Sequence, residues 1–415
     1  MLQSVDVGDK SLEEYREVSG TPLLDEIAAL AADLDETRIL HLSATPYGGG
    51  VSELLHSLIP LERNLGLNVD WKIISGSPEF FAVTKRIHNG LQGARSELND
   101  EDRRLYLDGN QANASALNRP YEIIVVHDPQ PAALPRYLDQ KNARWIWRCH
   151  VDTGTPDPAT WDFLRPQLDR YDLAVFTTPE FVPPDLPIAR RAIIPPAIDP
   201  FSPKNMPIDD QVAGRVLGWI GVSAAAPLVT QVSRFDPWKD PLGVIRAYRL
   251  ARELVPDLHL ALVGSMAHDD PEAWDIHAQI REASQGDSRI SVFTNLTGVG
   301  NVEVNAFQRL SNVIIQKSIR EGFGLVVSEA LWKGTAVVAG RAGGIPSQMP
   351  EGIGGFLVDD VEDCARYLVQ LVQDPDLARS LGKRGHAHVQ QHFLLPRLLR
   401  DSLRLYRDTM NLHPS

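Results

Sequence analysis

Short apolar runs return at nearly even intervals along this chain, each separated from the next by a stretch of helical period, and that alternation admits few folds. The run Ile123-Ile124-Val125-Val126 is apolar at every position, so a strand made from it has no solvent face. Such strands belong to parallel sheets covered by helices on both sides. In the first half, strands are expected at 38–43, 69–74, 121–127, 145–150, 173–177 and 192–194. Helices are expected between them at 51–65, 80–90, 100–110, 131–140 and 158–169.

The alternation is interrupted once. Pro195, Pro196, Pro200, Pro203 and Pro207 crowd a segment that neither a helix nor a central strand tolerates, which makes it the best linker. Strands then resume at 228–233, 258–263, 290–294, 312–316 and 336–339, with helices at 241–255, 271–283, 302–309 and 324–333. Three more helices, at 361–372, 375–392 and 395–410, close the chain. The fold class expected is α/β: two doubly wound Rossmann-like domains, 1–203 and 204–393, facing across a cleft that holds the site, with a helix at 394–415 that can cross back to the first domain.

Composition narrows the functions. With 54 acidic against 41 basic residues, the formal net charge of −13 argues against nucleic-acid binding through a generally basic surface. Cys149 and Cys364 are too few for a disulfide framework and fit a reducing compartment. The segment from Met1 to Arg16 lacks the basic-then-apolar order of a signal peptide, and no apolar run approaches a membrane span. A cytoplasmic protein with no membrane partner is expected.

Two phosphate-binding fingerprints are missing. No Gly-x-Gly-x-x-Gly follows the first strand, and no Walker A sequence occurs; Gly322-Phe323-Gly324 and Gly298-Val299-Gly300 each lack the third glycine. Gly48, Gly49 and Gly50 occupy the turn after the first strand, either as a tight turn alone or as a loop whose amides approach an anion or a sugar.

The sharpest local signal runs from Ser318 to Glu329. A strand ends, the glycine-flanked turn Glu321-Gly322-Phe323-Gly324-Leu325 follows, and a helix opens, which aims amides at an anion. Glu321 and Glu329 reach different parts of one extended ligand and suit sugar and ribose hydroxyls. Arg234 and Lys239, at the end of the second domain's first strand, suit a diphosphate. In the first domain, His127-Asp128 and His150-Val151-Asp152 stand at two carboxyl-end loops, each histidine accompanied by an acid. Their spacing is no zinc pattern, and Asp270 in Met266-Ala267-His268-Asp269-Asp270-Pro271 reads equally as a helix cap, so no metal ligand is assigned.

Taken together, these residues resemble the retaining family-4 glycosyltransferases of the GT-B fold, whose paired-glutamate motif is met here by Glu321 and Glu329. Phe80–Lys85, His88–Gly93, His127–Leu134, Trp147–His150 and Met266–Glu272 narrow the likeness to the trehalose glycosyltransferring synthases. That resemblance implies transfer of glucose, with retention, from ADP-, UDP- or GDP-glucose to free glucose, giving α,α-trehalose and a nucleoside diphosphate. It implies that His150 contacts the transferred glucose, Glu321 binds its hydroxyls, Glu329 binds the ribose, and Asp128 lies beside the acceptor. Arg234, Lys239 and the amides at 322–325 would then stabilise the departing diphosphate, while Gly48–Gly50, His127 and Asp152 complete the acceptor side. No metal is required for the chemistry; magnesium accompanying the nucleotide and a homodimer are both compatible. Three alternatives stay open: another acceptor, nucleotide-sugar epimerisation, and sugar binding without catalysis.

Overall fold

The computed structural model describes residues 2–138, 140, 142–223, 226–266 and 271–411. They fall into two compact units, Met1–Ala197 with Leu395–Ser415, and Ile198–Leu394.

In the first unit the strands are β1 Gln3–Ser4, β2 Arg38–Ser43, β3 Asn68–Ile73, β4 Ile123–His127, β5 Arg144–Arg148, β6 Leu173–Phe176 and β7 Arg191–Ile193. They form one sheet in the order β1-β3-β2-β4-β5-β6-β7. Every pairing is parallel except that of the short β1 with β3. The second unit holds β8 Leu228–Arg234, β9 His259–Ser265, β10 Ile290–Thr294, β11 Val313–Gln316, β12 Val337–Gly340 and β13 Gly355–Val358. Their order is β10-β9-β8-β11-β12-β13, parallel throughout. Both units are doubly wound, and the architecture is that of the GT-B fold.

The physical basis of the strands is the one their sequence suggests: all five residues of β4 are buried, as are all four of β11. Helices start where side chains satisfy their first amides. Ser77 caps Pro78–Leu91, Asn99 and Asp102 form a reciprocal box on Asp100–Ser115, and Asp240 caps Pro241–Leu254. Trp147, Phe80, Tyr106 and Phe176 fill the first core. Truncating a buried tryptophan such as Trp147 to alanine removes about 3–5 kcal/mol.

Several elements depart from expectation. Among the described residues of 131–140 only the short 3-10 turn Leu134–Tyr137 forms, because Pro135 has no N–H to donate and its ring would meet the carbonyl four residues back. The helix Asp210–Trp219 follows directly on the proline-dense segment, and the helix Thr21–Ala32 lies in a stretch where none was read. The last helix, Leu395–Met410, packs in the first unit against Thr21–Ala32 and Gly50–Asn64. Its Arg397 guanidinium donates to the carbonyls of Pro195 and Pro196, both at 2.8 Å. Among the described residues no helix is long and apolar enough to cross a membrane. Cys149 and Cys364 are buried free thiols, the latter pushed up to about 12 by its burial.

Candidate active site

The candidate residues gather at the carboxyl edge of each sheet, where doubly wound folds bind ligands. In the first unit β4 ends at His127 and the parallel β5 at Arg148, so the loops that follow leave the sheet side by side. Asp128 turns the chain in the left-handed region, φ 63°, a conformation aspartate tolerates better than most residues. Its amide donates to the Arg148 carbonyl at 2.9 Å, and its carboxylate accepts from the His150 amide at 2.8 Å. Burial pushes the Asp128 carboxyl up to about 7, against the opposing pull of the His150 amide and the Arg148 charge. Arg148 is itself pushed down to about 10 by burial and donates to the Ile194 carbonyl at 2.5 Å.

The two histidines of the sequence reading are joined to a third. His150 Nε2 lies 3.0 Å from His127 Nδ1, and His127 Nε2 lies 2.9 Å from His41 Nδ1. Burial, reinforced by neighbouring charge, pulls both His127 and His150 well below the ordinary imidazole value, so both rings are neutral. His127 is 3% exposed and each of its ring nitrogens faces another imidazole, so its side chain lies against His150 and His41. Asp152 follows His150 in the same loop. Its Oδ1 accepts from the Gly154 amide at 3.0 Å and closes its own turn, while the acid that holds the His150 backbone is Asp128.

Gly48 and Gly49 adopt φ values of 77° and 100°, which other residues rarely hold, and Gly49 caps the helix Gly50–Asn64. No neighbour crowds either glycine, so backbone conformation is what requires them.

In the second unit the two motifs of the sequence reading form one cluster. Lys239 Nζ donates to Glu321 Oε2 at 2.7 Å, and the same oxygen accepts from Ser318 Oγ at 3.1 Å and Gln316 Nε2 at 3.2 Å. Burial alone would raise the Glu321 carboxyl, but the Lys239 charge and these hydrogen bonds outweigh it and hold the group below its ordinary value. The loops are tied at the backbone too: the Ile319 amide donates to the Trp238 carbonyl at 2.8 Å, and Gln231 Nε2 to the Lys239 carbonyl at 2.7 Å. Arg234 closes β8 with its side chain 58% exposed, 3.4 Å from Asp236, leaving its guanidinium open to solvent.

Gly324, φ 81°, caps the helix Leu325–Trp332, and Glu329 stands inside that helix. The Glu329 carboxylate is 1% exposed, accepts from Gln308 Nε2 at 2.8 Å, and pairs with Lys204 Nζ at 3.2 Å. Phe323 is buried, and its carbonyl accepts from Gln348 Nε2 at 2.5 Å, which fixes the turn between Gly322 and Leu325. Gly343 backs the loop so closely that an added Cβ would come within 1.7 Å of the Glu321 carbonyl oxygen. His268, Asp269 and Asp270 lie outside the described residues.

The sequence reading missed His41, Glu62, Tyr406, Gln316, Ser318, Gln308 and Lys204 as partners. One of them carried a signal: His41 interrupts the otherwise apolar Ile39-Leu40-His41-Leu42, and a buried polar residue in a central strand calls for a partner.

Two doubly wound units, with a carboxylate–lysine cluster and a histidine–aspartate loop at their sheet edges, define a glycosyltransferase of the GT-B fold. Residues 41–183 match the model of the trehalose synthase N-terminal domain, and residues 221–388 match that of glycosyl transferases group 1. The chain is 50% identical over 411 residues to a trehalose synthase of Rubrobacter xylanophilus, covering 98% of this chain and 99% of that one. It is 42% identical to a trehalose synthase of Thermococcus litoralis, over 97% of both chains. The fold of a UDP-forming α,α-trehalose-phosphate synthase from Burkholderia xenovorans superposes with a TM-score of 0.73 at 15% identity, over 91% of this chain and 100% of that one. The chain belongs to the trehalose synthase family of glycosyltransferases.

Proposed function

We propose that this protein transfers glucose, with retention at the anomeric carbon, from a nucleoside-diphosphate glucose to free glucose, and so forms α,α-trehalose and a nucleoside diphosphate. The observation that carries this reading is the Lys239–Glu321 pair, which sets a cation and a sugar-binding carboxylate at one point of the second sheet's edge. Glu321 has Lys239, Ser318 and Gln316 on its Oε2, so Oε1 is the oxygen that accepts from donor-glucose hydroxyls. Arg234, with its exposed guanidinium, grips diphosphate oxygens in a fork, and Lys239 adds a point charge. The turn amides at 322–325 complete the anion's surroundings. Glu329 serves the ribose by exchanging its Lys204 contact for a hydroxyl.

In the first unit, Asp128 accepts from a hydroxyl of the acceptor glucose, His150 contacts the glucose being transferred, and the Gly48–Gly50 turn and Asp152 line the acceptor side. Bond breaking and bond making occur on one face of the sugar. The leaving diphosphate takes the acceptor's proton, and the cations around it stabilise charge that grows in the transition state. No residue is assigned to a magnesium ion: among the described residues no group of three or more His, Cys, Asp or Glu side chains is placed to hold a metal.

Incubation with ADP-, UDP- and GDP-glucose plus a panel of acceptors tests the reading. Trehalose from free glucose supports it; a different acceptor, or a changed nucleotide sugar with no acceptor, replaces it.

A further inference from the structure

The chain of rings behind His150 does not end at His41. His41 Nε2 lies 3.4 Å from Glu62 Oε2 and 3.4 Å from the Tyr406 hydroxyl, which in turn donates to Glu62 Oε1 at 3.3 Å. Glu62 is 0% exposed, His41 1% and Tyr406 3%, so this end of the chain is closed to bulk solvent. Two consecutive elements and one remote in sequence meet here: β2 supplies His41, Gly50–Asn64 supplies Glu62, and Leu395–Met410 supplies Tyr406.

Each neutral imidazole carries one N–H and one lone pair, so a row of such rings must run in one direction. The Tyr406 proton is turned toward Glu62, a carboxylate and the strongest acceptor nearby, which leaves only oxygen lone pairs facing His41 Nε2. That nitrogen therefore bears a proton, and where His41 is the neutral ring its Nδ1 is a lone pair. His127 must then donate from Nε2 to His41 Nδ1, and His150 from Nε2 to His127 Nδ1. The ring planes of neighbouring pairs lie within 25° and 15° of each other, which favours in-line hydrogen bonds along the row. Burial keeps the rings of His127 and His150 neutral, each with one N–H and one lone pair.

We propose that His41 and His127, closed at the far end by the oxygens of Tyr406 and Glu62, form a directional hydrogen-bonded row that fixes His150 as its Nε2–H tautomer and leaves His150 Nδ1 as a lone pair for a substrate hydroxyl. His150 Nδ1 has no protein partner among the described residues, so its acceptor character is free to be used by a ligand. Glu62, His41 and His127 are thus positioning residues. That the hydroxyl belongs to the transferred glucose rests on the proposed function; the tautomer itself does not.

The test reads ring nitrogens directly in ligand-free protein at neutral pH, by 15N–1H correlation of histidine side chains, with each ring assigned by its own substitution. All three rings are expected as Nε2–H, with Nδ1 at a lone-pair shift. His150 protonated on Nδ1, or on both nitrogens, overturns the proposal whatever the reaction proves to be. His127→Phe cuts the row and is expected to release His150 into a mixture of tautomers, whereas Tyr406→Phe, which leaves Glu62 facing His41, keeps Nε2–H. A single unchanged His150 tautomer in His127→Phe overturns the coupling. If a variant fails to fold, the wild-type spectrum still decides the tautomer.

Discussion

Lys239 Nζ lies 2.7 Å from Glu321 Oε2, so the cation read as facing a diphosphate and the carboxylate read as holding a sugar are two halves of one ion pair. Their side chains are only 14% and 10% exposed, unlike Arg234, which stands 58% exposed on the neighbouring strand end.

That contrast separates two substitutions with similar kinetic effects. Arg234→Ala and Lys239→Ala are each expected to slow transfer about 100- to 1,000-fold, as loss of a charge-stabilising donor does. Lys239→Ala also leaves Glu321 without its cation and is expected to cost about 3 kcal/mol of stability. Arg234→Ala is expected to cost less than about 1 kcal/mol. Denaturant titration beside steady-state kinetics checks both, and Lys239→Met with Glu321→Gln recovers part of the lost stability.

Asp128 predicts a pH dependence. Its folded-state carboxyl titrates at about 7, while an unfolded aspartate titrates near pH ~4. Between these values the folded protein holds a proton that the unfolded chain has released, so stability falls as pH rises through the window. Asp128→Asn keeps an acceptor for the His150 amide and cannot ionise. It is expected to match the wild type near pH ~4 and to exceed it by a few kcal/mol at pH 8, in thermal unfolding curves across that range. Activity moves the other way: the wild-type rate rises through pH ~7 as the carboxylate forms, and Asp128→Asn loses acceptor saturation while nucleotide-glucose binding by calorimetry is kept.

Gly343 tests whether the Glu321 loop is held by its backbone. The residue has φ 52° and no room for a Cβ beside the Glu321 carbonyl. Gly343→Ala is expected to displace Glu321, to lower stability by about 1–3 kcal/mol and to weaken donor binding with it. Unchanged donor affinity would detach the loop's geometry from the donor site.

Glu329 is held by Gln308 and Lys204. Glu329→Gln is expected to raise the Michaelis constant for the nucleotide donor while leaving that for the acceptor unchanged. A shift in the acceptor constant instead would move Glu329 away from the ribose.

Much of this architecture is legible in the sequence because buried parallel strands are apolar without interruption, as β4 and β11 are. β13 escaped, since it opens on Gly355 directly after Gly354, leaving only Phe356, Leu357 and Val358 as an apolar run too short to read as a strand. The motifs around Arg234, Lys239, Glu321 and Glu329 were legible as residue types at strand ends and helix starts. Their pairing was not, because Lys239 and Glu321 are 82 positions apart and either could have faced a ligand alone. The histidine row was less legible still: Glu62 and Tyr406 are separated by 344 positions and meet only because the last helix lies on the first unit.

The most direct measurement follows an anomeric carbon. A nucleoside-diphosphate glucose labelled at the carbon bonded to phosphate is mixed with unlabelled glucose and the protein, and the product is read by 13C NMR. The account predicts a label that enters α,α-trehalose in the α configuration, with one nucleoside diphosphate released per disaccharide and with Lys239→Ala slowing both signals together. Label appearing as β-linked product, as free glucose, or as an altered nucleotide sugar would contradict it.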